Sequence, residues 1–335
     1  MWFREGDLVE DLNGVIFDVK GLVHPPRRVV AFPRFVPDAA GDRRRGRIAY
    51  RKVYALSARY ELLEKRFPQY LIQDKVFGER LCEVPVKDVR RHYRPSERLR
   101  ELRHNKRLDT LEREALGFVS LLKESTTVPW DALGISGSIL AKLHTPHSDI
   151  DPVVYGTENC RKVHSALKLL HKRKPSLVRS YDKEELRALF DFRSKDTQTG
   201  FEDFVRTESR KVLQGKYRGH DYFIRCVKNW SEICEKYGDV HYSIAGYARI
   251  KATVVDTSEF ILTPCAYKIA KVRVLEGANK PVSEIASFRG RFCEQAENGE
   301  VVVAQGKLER MQNKSGEVRF RLLLGNQPSD FMILA

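Results

Sequence analysis

The chain lacks any apolar run approaching the roughly 18 residues that a membrane helix requires, and its start, Met1 to Asp7, lacks the basic-then-apolar pattern of a secretory signal. A cytoplasmic protein with no membrane partner is the expectation. Its six cysteines, Cys82, Cys160, Cys226, Cys234, Cys265 and Cys293, form no C-x-x-C pair and have no histidine at zinc spacing. A disulfide framework and a zinc module are therefore not expected. There is also no G-x-x-x-x-G-K-[ST] loop, which argues against a Walker-type ATPase.

What is abundant is positive charge. The 335 residues carry 60 Lys and Arg against 45 Asp and Glu, a formal net charge of +15. Clustered cations gain affinity for polyanions by releasing phosphate counterions, so nucleic acid is the natural partner. Surface charge of the kind that stabilises proteins in hot environments is the alternative. A 42% hydrophobic content predicts packed cores, and the length suits two or three modules.

From Phe3 to about Tyr93 the pattern predicts short strands, with Leu8–Glu10, Val15–Val19 and Arg28–Phe32 separated by Asn13-Gly14, Gly21 and Pro25-Pro26. This suggests a small barrel. The loop Asp38–Gly46 contains Arg43-Arg44-Arg45, either a solvated face or a phosphate contact, and a helix from Leu56 to Lys65 is expected after it. Residues 87–107 hold nine Lys or Arg against three Asp or Glu, an exposed linker face or a phosphate-binding one, with a hinge and helix start at Pro95-Ser96-Glu97. Leu108, Leu111, Ala115, Phe118, Val119 and Leu122 recur at helical spacing, and a strand from Trp130 to Ser136 should follow Pro129.

Further helices are expected from Thr157, over Lys183–Phe192 and over Phe201–Leu213, with strands at Tyr222–Val227 and Ala248–Val255. Beyond Glu259, Ile285–Phe288, Val301–Ala304 and Val318–Leu324 predict a second β module. There, Phe288, Arg289, Arg291, Phe292, Arg319, Phe320 and Arg321 interleave rings and cations. They form either a base-stacking face or, with the rings inward, an ordinary core with a solvated basic surface.

The segment that carries chemistry is Gly134-Ile135-Ser136-Gly137-Ser138-Ile139-Leu140-Ala141-Lys142, followed after a short loop by His147-Ser148-Asp149-Ile150-Asp151-Pro152-Val153-Val154-Tyr155. Read physically, a strand ends in a Gly-Ser turn, a short helix begins, and a second strand brings in two carboxylates. Gly137 lets the backbone approach an anion, and Ser138 offers a hydroxyl and an amide, together a seat for a triphosphate. Side chains alternate along a strand, so Asp149 and Asp151 share one face and Ile150 takes the other. Adjacent carboxylates repel unless a cation neutralises them. Magnesium suits such hard oxygen donors, and two ions would activate an acceptor hydroxyl and stabilise leaving pyrophosphate. Pro152 removes a ladder donor, which fits an edge or bulge better than a central strand. His144 and His147, in a short polar loop, are expected to be solvated.

Gly-Ser followed about a dozen residues later by a hydrophobic-flanked Asp-x-Asp resembles the signature of the DNA polymerase beta-type nucleotidyltransferase superfamily, and the layout with flanking basic β modules resembles archaeal predicted nucleotidyltransferases. The resemblance implies an α+β fold: a nucleotidyltransferase core of mixed sheet and flanking helices over residues 96–256, between β-rich modules at 1–95 and 257–335. It implies that Gly137 and Ser138 hold the triphosphate of an NTP such as ATP and that Asp149 and Asp151 bind two Mg2+ ions. A third carboxylate from a neighbouring strand completes the usual set, with Asp256 the expected residue and Asp221 the rival. Lys142 stands where many members have an arginine after the Gly-Ser pair, and either contacts phosphate or faces solvent. The implied reaction moves a nucleoside monophosphate to an acceptor hydroxyl on RNA or DNA, or on a protein side chain. A non-catalytic nucleic-acid-binding protein and a nucleotide-binding regulator remain the alternatives. Oligomeric state is not legible.

Overall fold

In the computed structural model the described residues are 2–173, 175–194 and 198–335. They form a mixed α+β protein that divides into two compact units. The first comprises residues 1–72, 80–179 and 213–234; the second comprises 73–79, 180–212 and 235–335.

In the first unit, six strands lie in the order Arg43–Arg45, Ile48–Lys52, Arg28–Pro37, Ile16–Val19, Leu8–Asp11, Val89–Tyr93. Their β-branched and aromatic positions pack inward, and Phe35 and Tyr50 are fully buried. The helix Leu56–Arg66 follows Ile48–Lys52 in the chain. The arginine segment read as a loop is itself a strand. Its alternation turns Arg43 and Arg45 inward, Arg45 donating to Tyr93 Oη (2.6 Å), Tyr50 Oη (2.8 Å) and Glu10 (3.0 Å).

The helix Thr110–Glu124 starts where its capping box places it, with Asp109 and Glu112 each accepting from the other's backbone N–H. It buries Leu111, Ala115, Phe118, Val119 and Leu122, the stripe expected from their spacing. Phe118 stacks on Tyr217 and meets Tyr222, each with ring centroids 4.7 Å apart. The same unit holds a sheet in which Pro152–Tyr155 lies between Leu133–Ile135, antiparallel, and Arg225–Val227, parallel. Pro152 thus sits in a middle strand rather than at an edge. It is the strand's first residue, where a missing N–H costs no ladder bond. The parallel register extends back to a bridge between Ile150 and Tyr222.

The second unit centres on a six-stranded sheet that closes on itself. Val240–Glu259 pairs with both Cys265–Gly277 and Val301–Asn313. The boundary expected at residue 256 therefore falls inside one 20-residue strand, and the chain passes into this unit at 235. The helices Lys183–Arg193 and Phe201–Glu208 belong to this unit as well, not to the expected core. Of the interleaved rings, Phe292 is buried, Phe288 lies at the surface, and Arg321 is drawn into a buried ion pair with Glu309 at 2.7 Å.

Candidate active site

The site is built by three backbone decisions in the first unit. Gly137 adopts φ +63°, and a Cβ there would collide with Asp151 Oδ2, so only glycine lets the turn lie against the carboxylate. Ser136 N–H donates to the Asp151 carbonyl (2.8 Å) and its hydroxyl donates to the Gly6 carbonyl (2.6 Å). The turn is thereby tied to the acidic strand on one side and to the N-terminal segment on the other. Arg98, 5% exposed, donates through Nε to the Ile139 carbonyl (3.0 Å) and ion-pairs with Glu112. The basic stretch 87–107 is thus not only a solvated face, because it supplies the clamp for the motif's short helix.

Register then decides which acids meet. Ile150 and Tyr222 are paired in parallel, so both side chains take the core face, and both are buried. The residues just before them, Asp149 and Asp221, lie opposite each other on the other face, about 4.8 Å apart at the backbone, and Asp151 follows on that same face. The structure puts Asp221 beside the motif pair. Asp221 also ion-pairs with Lys216 at 3.0 Å. Asp256 belongs to the Val240–Glu259 strand of the second unit, where its carboxylate accepts from Ser258 N–H (2.7 Å). The expectation took the Arg249–Val255 run as part of the core, whereas it continues a sheet of the second unit that a core boundary at 256 would have cut.

The carboxylates of Asp149 and Asp151 have no hydrogen-bond or ion-pair partner among the described residues. Loss of hydration and then the neighbouring Asp149 charge push Asp151 up to about 6, against the pull of Lys52, Arg225 and Arg34. Asp149, whose side chain reaches solvent, is raised too, first by the desolvation of its crowded surroundings, with Asp221 adding repulsion. Facing them are cations from the β-rich part of the same unit. Lys52 Nζ and the Arg34 guanidinium lie 4.4 and 4.8 Å from the centre of the Tyr54 ring. Burial and then Arg34 lower Lys52 to about 8. Arg59, 8% exposed, is lowered to about 10 by burial and then Arg34, and its Nε has no hydrogen-bond partner among the described residues.

The packing that places these cations is direct. Phe35 and Tyr50 share a buried cluster with Leu140, Ala141 and Leu143 of the motif segment, and Lys52 lies directly across from Phe35 in the strand pair. Arg43 Nη1 donates to the Leu143 carbonyl (2.7 Å) and to Ser148 Oγ (3.3 Å), fixing the loop that leads into Asp149. Sequence reasoning missed Lys52, Arg34 and Arg59. Their only signal was cations in strands and a helix otherwise set by apolar alternation.

Lys142 takes the solvent side of the two readings offered for it. It pairs with Glu101 at 3.0 Å with its side chain nearly half exposed. Asp109, Glu112 and His144 are the only trio of metal-ligand type, among the described residues, whose donor atoms converge within 4.8 Å. Their lone pairs are already used, in the capping box, in the Arg98 pair and in the 2.7 Å contact from His144 Nε2 to Asp109, so the trio reads as a structural clasp.

No family model and no solved structure matches this chain significantly. Over 340 aligned residues, covering 99% of the chain and 98% of the relative, it is 32% identical to an uncharacterized protein of Methanocaldococcus jannaschii. The chain belongs to that protein's family. The match spans both units of this family member, so the β-rich segments around the motif are part of the shared chain rather than an addition to it. Among its described residues, no helix is long and apolar enough to cross a membrane.

Proposed function

We propose that this protein is a magnesium-dependent nucleotidyltransferase that moves a nucleoside monophosphate from an NTP to an acceptor hydroxyl on nucleic acid. The observation that carries the reading is the placement of Asp149, Asp151 and Asp221 on one sheet face beside the Gly137 turn, with the first two free of protein partners among the described residues. Three hard oxygen donors on one face, with Asp151 unpaired among the described residues and Asp221 paired with Lys216 at 3.0 Å, fit divalent cations, and the bare Gly137 Cα lets Asp151 sit against the turn. Bound there, magnesium would supply charge compensation for the attacking hydroxyl and the leaving pyrophosphate. The chain's own part is positioning. The Gly137-Ser138 backbone and the cations Lys52 and Arg34 face the place where a triphosphate would lie, and Arg98 and Arg43 hold the turn and the acidic loop still. The net charge of +15 favours a polyanionic acceptor.

The second reading is a nucleotide-binding regulator. It is favoured by one observation: the oxygens of Asp149, Asp151 and Asp221 do not converge within 4.8 Å, as the clasp at His144 does. Incubation with each labelled triphosphate, magnesium and RNA, DNA or protein acceptors separates the two. Magnesium-dependent incorporation lost in Asp149→Asn is the expected result. Triphosphate binding without turnover would instead establish the regulator, and equal incorporation by the variant would refute the catalytic assignment.

A further inference from the structure

A recess of the first unit lies away from the carboxylates. Trp2, Arg4, Arg94, Ser96, Tyr155 and Trp230 line a pocket of about 430 Å³, and Asp7, also on its wall, is engaged by His92 Nε2 at 2.8 Å. Tyr155 is two strand positions beyond Val153 and four beyond Asp151, so it shares their face, about 13 Å along the strand from Asp151. The segment around Gly6 packs over Val153, which lies between Tyr155 and Asp151 along the strand.

The lining has a definite chemistry. The Arg4 guanidinium carbon lies 3.4 Å from the centre of the buried Tyr155 ring and 5.1 Å from that of Trp230. Trp230 in turn meets Trp2 edge-on, with centroids 5.4 Å apart. Trp2 is 74% exposed, the most solvent-facing of the large apolar side chains among the described residues. Trp230 is not on a loose loop. Asn229 and Glu232 form a reciprocal cap around it, and the Glu232 carboxylate accepts the Thr157 N–H at 3.1 Å. At the rim, Arg94 pairs with Glu97 at 2.8 Å and keeps its side chain about half exposed.

We propose that this pocket receives an unpaired base of a single-stranded nucleic acid, holding the acceptor strand on the same face as the carboxylates. Planar faces from an indole and from a guanidinium already seated on a ring suit base stacking, which tolerates any sequence. The rim arginine suits the adjoining phosphate, and the +15 charge disfavours a basic partner. An apolar peptide would offer the Arg4 guanidinium no acceptor, whereas Arg94 already has one in Glu97 at 2.8 Å. Naming the strand as acceptor rests on the nucleotidyltransferase reading, whereas binding of the strand does not.

The test uses the full chain without magnesium, with end-labelled single-stranded RNA and DNA dodecamers followed by anisotropy, tryptophan emission followed in parallel, and heparin as a polyanion without bases. Wild type should bind the oligonucleotides with quenched tryptophan emission, and heparin should bind without quenching. Trp2→Ala, at a mostly exposed position, and the double variant W2A/W230A should bind progressively more weakly, the double roughly ten-fold or more, with the circular dichroism spectrum unchanged for Trp2→Ala. Equal oligonucleotide affinity in both variants, or equal quenching by heparin, would overturn the proposal. If wild type never transfers a nucleotide yet tryptophan-dependent oligonucleotide binding persists, the catalytic reading falls and the base pocket stands.

Discussion

Replacing Asp151 with asparagine should make the protein inactive and more stable at once. The carboxyl titrates at about 6 instead of 3.8, because the fold strips its water and sets Asp149 beside it. A carboxyl raised in the folded state favours folding most below the unfolded value of 3.8, and that contribution is lost as pH rises through about 6. At pH 7 the folded chain therefore carries an ionised group where ionisation is disfavoured. The full difference corresponds to ~3 kcal/mol, and screening at the open side of the cleft reduces it to roughly 1–3 kcal/mol. The asparagine side chain has nearly the same shape and gives up no hydrogen bond, since the Asp151 carboxylate accepts none among the described residues. For a unit of this size each kcal/mol moves Tm by roughly 2–4 °C, so Asp151→Asn should melt roughly 2–12 °C higher at pH 7 in EDTA. The gap should close as pH falls from about 6 to below 4, and magnesium should narrow it at pH 7 by stabilising wild type alone. Scanning calorimetry at pH 3.5, 5 and 7 reads all three effects. A variant that melts lower than wild type, or a gap of equal size at pH 3.5 and pH 7, would refute the argument.

Asp221→Asn should lower kcat at least ten-fold with Tm nearly unchanged, while Asp256→Asn should leave both as they are; steady-state transfer assays beside melting curves decide which acid belongs to the site. Gly137→Ala should lose both Tm and activity, because the positive φ and the contact with Asp151 each oppose a side chain; normal melting with normal transfer would show that the turn does not adopt this geometry. Lys52→Met should weaken triphosphate binding about ten-fold by calorimetric titration, whereas Lys142→Ala, at an exposed ion pair, should stay within about two-fold. Because Lys52 loses its proton near 8, wild-type affinity should decline as pH rises through that value, and the decline should be flatter in Lys52→Met.

Much of the motif was legible in the sequence because its information is local. Strand parity alone puts Asp149 and Asp151 on one face, and a glycine followed by serine at a strand end announces the turn. The Thr110–Glu124 helix was equally plain, since its buried stripe and its cap are written within about fifteen residues. What escaped depends on pairing between distant segments. Asp221, named only as the rival, owes its place to a parallel register with a strand about seventy residues earlier, which periodicity cannot supply. Asp256 misled because irregular pairing along Val240–Glu259 shifts the register repeatedly and hides one long strand behind a short apolar run. Lys52 and Arg34 are ordinary strand cations until the buried contact of Phe35 and Tyr50 with Leu140 aims that part of the unit at the acids.

That buried contact also governs how the molecule can be divided. The ring of hydrophobic side chains that roofs the Gly-Ser helix is contributed by residues before position 95, and the hydroxyl of Ser136 is anchored on the carbonyl of Gly6. Cutting the gene at the first apparent module boundary would leave a fragment with an uncovered apolar wall and a turn missing its tether. The leading strands are thus one wall of the candidate site, and any shortened version of this protein meant to keep that site has to keep them.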